Sequence, residues 1–320
     1  MPAPLDSAPL SVPAPAAPAE RLDGLLFFPV TAFTQDGVFD PEGYRVHLEA
    51  RLADRPAAVF AACGTGEFGA LAPGEYEECL RVAVETVAGS VPVIGGAGYG
   101  TSLALEYARA AERAGADGLL VLPPVYGDGG QAGLAAHYQA LAAGTRLDLI
   151  LYQRDPAVFT PETVVELARV PNIVGFKDGR GDLDLMLRIV SAVRAAGLTG
   201  LRYFNGMPTA EMTQQAYRAI GVPLYSSAVF CFAPDIALAF HRALEKGDTA
   251  RLETITDVFL RPYVALRNAR PGYPVSLVKA ATRAVGHPVG PVRAPLAEPD
   301  PADVAAVLAL VKTTRAALSA

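Results

Sequence analysis

The chain has 320 residues, 51% of them hydrophobic, which is enough apolar material for one large domain or two small ones. A formal net charge of -6, a pI near 5.3 and the lack of any basic run argue against a nucleic-acid partner. An acidic total leaves room for an anionic substrate, because a cleft needs only local positive charge.

Residues 1–20 are rich in Pro and Ala and read as a disordered or extended arm. They lack the basic start and continuous apolar stretch of a signal peptide. The apolar runs that follow are too short to span a bilayer, so a soluble, cytoplasmic protein with no membrane partner is expected. From Leu22 onward, short apolar runs alternate with stretches of helical period. The strand candidates are 24–30, 57–63, 91–95, 117–122, 147–152, 173–177, 201–205 and 222–226. Nearly all are continuous apolar runs, as expected of parallel strands covered by helices.

The intervening helices carry their own punctuation. Thr101 stands where an N-cap would precede an apolar-periodic segment, and Gly115 where that helix would stop. Thr160, Pro161 and Glu162 read as an N-cap, a first-turn proline and a first-turn acid. Pro73 and Pro208 are placed to open helices in the same way. Eight βα units favour an α/β fold closed as a (β/α)8 TIM barrel over residues 21–246. Residues 247–320 continue in helical sequence with no linker, and read as a C-terminal helical extension of the same domain.

A barrel of this kind places its chemistry at the C-terminal ends of its strands. Lys177 stands at such an end, and it is one of only four lysines in the chain. A desolvated lysine has a lowered pKa and supplies the neutral amine that attacks a ketone. A lysine snorkelling from a strand end to solvent would occupy the same place, and position alone does not separate the two. Tyr152 closes the preceding strand, one barrel position away, where a phenol could relay protons. Alone it would read as a tyrosine sealing the barrel mouth.

Gly64, Thr65 and Gly66 follow the second strand, where glycines let backbone amides approach a carboxylate. A plain βα turn would use the same residues. Gly96-Ala-Gly98-Tyr-Gly100 looks rich enough in glycine for a nucleotide loop. Its spacing misses the dinucleotide fingerprint, and a tight barrel loop is the better reading. Cys63, Cys79 and Cys231 lack metal or disulfide spacing and read as buried thiols. His47, His137, His241 and His287 stand singly, so no metal site is expected.

These strand ends make the chain closely similar to the dihydrodipicolinate synthase/N-acetylneuraminate lyase family over about residues 22–295. The matching signatures are Phe28-Pro-Val-Thr-Ala-Phe33, Gly64-Thr-Gly-Glu67, the Gly96-x-Gly98 loop with Thr101, Tyr152, and Gly175-Phe-Lys177-Asp178. Further strings resemble the family's decarboxylating sugar-acid dehydratase branch. They are Tyr152-Gln-Arg-Asp155, Met207-Pro-Thr-Ala-Glu211, Val222-Pro-Leu-Tyr-Ser-Ser-Ala-Val-Phe230 and Leu266-Arg-Asn268 followed by Gly272-Tyr273. The resemblance implies a cofactor-free and metal-free barrel enzyme, tetrameric as the family usually is. Lys177 would be its Schiff-base residue and Tyr152 its proton relay.

The implied substrate is a small 2-oxo sugar acid that undergoes dehydration with decarboxylation. Thr65 and its neighbouring amides would hold the carboxylate beside the ketone. Arg154 would take the distal carboxylate, unless it merely pairs with Asp155. Asn205, Ser226 and Ser227 would meet the hydroxyls, unless they only satisfy backbone groups. Tyr126 would reach a neighbouring subunit's site. An aldolase or condensing enzyme of the same family shares Lys177 and Tyr152, and a non-catalytic ligand-binding barrel is the rival of a different class.

Overall fold

A computed structural model describes residues 22–124 and 129–319. Its centre is a closed barrel of eight parallel strands in sequence order, the last pairing with the first. The strands are β1 (Leu26–Phe27), β2 (Ala58–Ala61), β3 (Val93–Ala97), β4 (Gly118–Val121), β5 (Asp148–Gln153), β6 (Ile173–Asp178), β7 (Arg202–Asn205) and β8 (Leu224–Ser227). Each lies within or overlaps one of the apolar runs. Closure leaves no sheet edge to protect.

Helices cover the outside: α1 (Pro41–Leu52), α2 (Pro73–Val87), α3 (Thr101–Ala114), α4 (Gly130–Ala143), α5 (Pro161–Leu167), α6 (Leu183–Ala195), α7 (Gln214–Ala219) and α8 (Pro234–Lys246). Their starts follow capping chemistry where the sequence supplies it. Asp40, Thr160 and Asp182 accept from the backbone N–H of Gly43, Thr163 and Leu185. Gly115 and Gly247 end α3 and α8 in the left-handed region, with φ of 83° and 66°. Two expected starts differ. Gly100 is the cap of α3, and the Thr101 hydroxyl instead meets His137 Nδ1 at 2.8 Å. Pro208 leads into a short 3-10 turn, Ala210–Met212, before α7 begins.

Alternation along the strands sorts side chains into two cores. Leu26, Phe60, Ile94, Leu120, Ile150, Phe204 and Leu224 fill the barrel interior. Phe27, Val59, Leu119, Leu149, Leu151 and Phe176 face the helices. Strand β6 breaks this alternation once. Ile173 pairs with Leu149 but Gly175 pairs with Ile150, so Val174 is an extra residue. Such a bulge shifts the side-chain phase of everything after it by one. Ile173 points out, and Lys177 four residues later points in instead of out. Gly175 makes the shift fit, because a Cβ there would lie 2.9 Å from the Phe204 ring and 3.0 Å from Ile150.

Beyond α8 the chain continues as α9 (Thr249–Ile255), a π-helical segment (Thr256–Leu260), α10 (Arg261–Arg267), α11 (Tyr273–Ala284) and α12 (Pro301–Ser319). Among the described residues no helix is long and apolar enough to cross a membrane. Residues 1–20, expected to be a disordered or extended arm, lie outside the described residues.

Candidate active site

A cavity of about 350 Å³ opens at the C-terminal ends of the strands, with Lys177 and Tyr152 in its wall. The two residues are register partners on β5 and β6. Lys177 is only 4% exposed, and its Nζ lies 4.0 Å from the centre of the Phe28 ring and 5.0 Å from that of Tyr152. Burial pulls the amine down to about 7, and the Arg154 guanidinium reinforces the fall. Burial also pushes the Cys63 thiol up to about 12, so it stays neutral beside the lysine.

The Tyr152 hydroxyl donates to the Gly206 carbonyl at 3.0 Å. Burial raises its pKa, with Arg154 pulling the other way. Two glycines hold this pair in place by leaving room for it. A Cβ on Gly206 would lie 2.7 Å from Lys177 Cε, and one on Gly179 2.7 Å from Tyr152 Cε2.

Gly64 and Thr65 line the cavity across the barrel from Lys177, since β2 and β6 stand four strands apart in the ring. Gly66 does not line it. Thr31 Oγ1 donates to the Gly66 carbonyl at 2.7 Å, and Gly66 packs tightly on the Ala62 backbone. The loop turns on two left-handed non-glycine residues, Ala62 and Glu67, with φ of 48° and 56°. Glu67 is held there from the C-terminal extension. Lys279 Nζ reaches its Oε1 at 2.7 Å and the Arg293 backbone N–H its Oε2 at 2.9 Å.

Arg154 lines the cavity from an exposed position, and Asp155 pairs with Arg180 rather than with Arg154. Ser226 also lines it. Asn205 and Ser227, expected to meet substrate hydroxyls, do not. Asn205 Nδ2 donates to Ala210 O, Thr213 Oγ1 and Gln214 Oε1, and its Oδ1 accepts from Met207 N. Ser227 faces the other side of β8 and donates to Glu211. Both are turned outward by strand alternation, as is Asp178, which accepts from Gln153, Tyr217 and two backbone amides. Tyr126 lies outside the described residues.

Gly96 at the end of β3 and Gly98 just after it pack against protein. A Cβ on Gly96 would sit 2.3 Å from the Ala62 carbonyl oxygen, and one on Gly98 3.1 Å from the Phe68 ring. Cys63, Cys79 and Cys231 are free and buried. Among the described residues no three His, Cys, Asp or Glu side chains gather as a metal-holding group.

The C-terminal extension closes the cavity with Tyr263 and Arg267 from α10 and with Pro274, Val275 and Val278 from α11. Composition and period gave no sign of this, because the crossing of α10 over the barrel mouth is a tertiary fact. The one trace in the sequence is the Leu266-Arg-Asn268 string, quoted above with no role attached.

A parallel eight-stranded barrel with an inward lysine on β6 beside a tyrosine on β5 defines a lysine-dependent barrel enzyme of one architecture. The chain belongs to the dihydrodipicolinate synthetase family, whose model matches residues 21–314. It is 61% identical to a probable 5-dehydro-4-deoxyglucarate dehydratase 1 from Streptomyces coelicolor over 278 residues, 86% of this chain and 88% of that one. It is 57% identical to a probable 5-dehydro-4-deoxyglucarate dehydratase from Streptomyces griseus over 316 residues, 98% and 97% of the two chains. Among solved structures it resembles dihydrodipicolinate synthase from Bacillus clausii, with a TM-score of 0.84 and 26% identity over 93% of this chain and 99% of the other. The likeness to the Oceanobacillus iheyensis synthase, with a TM-score of 0.85 and 23% identity over 93% of this chain and 98% of the other, bears on the fold alone.

Proposed function

We propose that this protein carries out the decarboxylating dehydration of 5-dehydro-4-deoxyglucarate to 2,5-dioxopentanoate, with Lys177 as the Schiff-base residue. The observation that carries the reading is the buried Lys177 amine, paired in register with Tyr152 at the mouth of the barrel. The names of the Streptomyces relatives supply the substrate.

The neutral Lys177 amine attacks the ketone, and Tyr152 relays the protons that let the oxygen leave as water. The resulting iminium acidifies the neighbouring methylene, which loses a proton to Tyr152 or to the departing water. The β-hydroxyl then leaves as a second water and gives a conjugated iminium. When the far carboxylate departs as CO2, its electron pair flows through that conjugated system to the iminium nitrogen. Protonation and hydrolysis release the 2-oxo acid semialdehyde and return the free lysine. The near carboxylate rests on Gly64 and Thr65, and Ser226 meets a hydroxyl. No metal or organic cofactor has a part, because the iminium is the electron sink.

Borohydride trapping with pyruvate tests the chemistry, and CO2 release from 5-dehydro-4-deoxyglucarate tests the substrate. The expected result is one adduct on Lys177, none in Lys177→Ala, and a stoichiometric release of CO2. Pyruvate as product would instead make the protein an aldolase, and an adduct in Lys177→Ala would end the Schiff-base assignment. A cytoplasmic homotetramer goes with this reading by family resemblance, and light scattering on the purified chain tests the assembly. Residues 247–320 belong to the same domain as the barrel in this proposal, supported by the Lys279–Glu67 pair that joins them.

A further inference from the structure

A 2-oxo diacid is a dianion, and Gly64 with Thr65 accounts for one end of it. The far carboxylate needs a second positive partner. Among the described residues, the cations lining the cavity besides Lys177 are Arg154 and Arg267. Arg154 is exposed, so its attraction is screened by water and salt. Arg267 is 9% exposed, and a charge there acts through a less polar medium.

The direction of the substrate chain favours the same residue. From a ketone fixed at Lys177, the β5 side is filled by the Tyr152 ring, with Leu120 and Leu122 beyond it. On the β7–β8 side Gly206 has no side chain, and Thr209 and Ser226 offer hydroxyls to a polyol. Arg267 stands on that side. It interacts electrostatically with Glu211, which in turn accepts from Ser227 of β8.

Its guanidinium is also prepared for an anion. Nε and Nη2 both donate to the Asn268 side-chain oxygen, at 3.1 and 3.0 Å, which fixes the plane. Nη1 is buried with no hydrogen-bond partner among the described residues, and so is Oε2 of Glu211. A buried donor without a partner is costly, and a bound carboxylate would relieve that cost.

We infer that Arg267 is the specificity-determining residue that recognises the far carboxylate of a 2-oxo diacid. The inference rests on the Schiff-base reading of Lys177 and gives α10 a direct part in choosing the substrate. Holding the far carboxylate alike in the ground state and the transition state, Arg267 acts mainly on KM.

Borohydride trapping tests it without turnover, using 2-oxoadipate against 2-oxohexanoate, which has the same length but no far carboxylate. The wild-type chain is expected to half-saturate with 2-oxoadipate at a concentration at least tenfold lower. Arg267→Gln should abolish that preference and still trap pyruvate, whereas Arg154→Gln should keep most of it. A preference absent from the wild type, surviving in Arg267→Gln, or lost only in Arg154→Gln overturns the inference. If Arg267→Gln fails to fold, seen as lost pyruvate trapping, Arg267→Lys decides, because its single ammonium cannot rebuild the fork. An unchanged preference there overturns the inference, and a reduced one supports it. A preference that depends on Arg267, in a protein that releases no CO2 from 5-dehydro-4-deoxyglucarate, would support this site while sinking the dehydratase reading.

Discussion

Lys177 shows how far a single residue could be read. Its place at a strand end was legible, but that it faces inward was not, because Ile173-Val-Gly-Phe is an apolar run with no visible alternation. Only the extra residue Val174 settles the side on which the amine emerges. Its burial sets an expected pH dependence. With the amine at about 7, the neutral form is scarce below that value and dominant above it. The rate of adduct formation with pyruvate should therefore rise between pH 6 and 8 and level off. An unshifted lysine would keep gaining toward pH ~10. Gly206→Ala should displace the Lys177 stem, because the added methyl falls 2.7 Å from Cε with the Asp178 backbone 2.9 Å away. A fall of at least tenfold in trapping rate, with the far-ultraviolet circular dichroism unchanged, is the expected outcome. Asn205 and Ser227 turn away from the cavity for the complementary reason. Polar residues at a strand end alternate in direction, and the sequence does not say which one looks inward.

Elements were the most legible scale. The eight apolar runs became eight strands because a strand buried on both faces needs no polar alternation. The short turns between β7 and α8 were harder, since Pro208 serves a 3-10 turn as readily as it opens a helix. The loop after β2 depends on an element far away in the chain. Glu67 holds its left-handed backbone while bonded to Lys279 on α11, and both side chains are fully buried. Removing one partner strands the other charge in the interior, so Lys279→Met should cost about 3–5 kcal/mol in a denaturant titration. The same substitution should weaken pyruvate half-saturation, because the loop that carries Gly64 and Thr65 loses its anchor. Nothing in the local sequence at 62–67 announces this dependence; the pairing spans the whole fold.

For the whole molecule, closure of the barrel was readable from the count of βα units, and the contribution of the C-terminal extension to the site was not. A chain ended at Lys246 would lose Lys279, Arg293 and the cavity wall formed by Tyr263, Arg267 and Val278. It should therefore show no cooperative thermal transition and no trapping. Stability should also respond to acid. His47 is buried against Phe27 and His287, with neither ring nitrogen hydrogen-bonded among the described residues. Burial, reinforced by His287 and Arg51, holds it well below its ordinary 6.5. The unfolded chain takes up that proton as pH falls below ~6.5 while the folded chain refuses it, so stability present at neutral pH drains away. His47→Phe should flatten the fall in melting temperature between pH 7 and 5.

The packed interior of the barrel has one last effect. With Leu26, Phe60, Ile94, Ile150 and Phe204 filling the barrel interior, the described residues leave the cavity its opening at the C-terminal ends of the strands. Substrate, the waters released and consumed, carbon dioxide and semialdehyde would all pass through it in turn, beneath α10 and α11. Traffic is thus one-way at any moment, and whatever stalls in that doorway stops arrival and departure together.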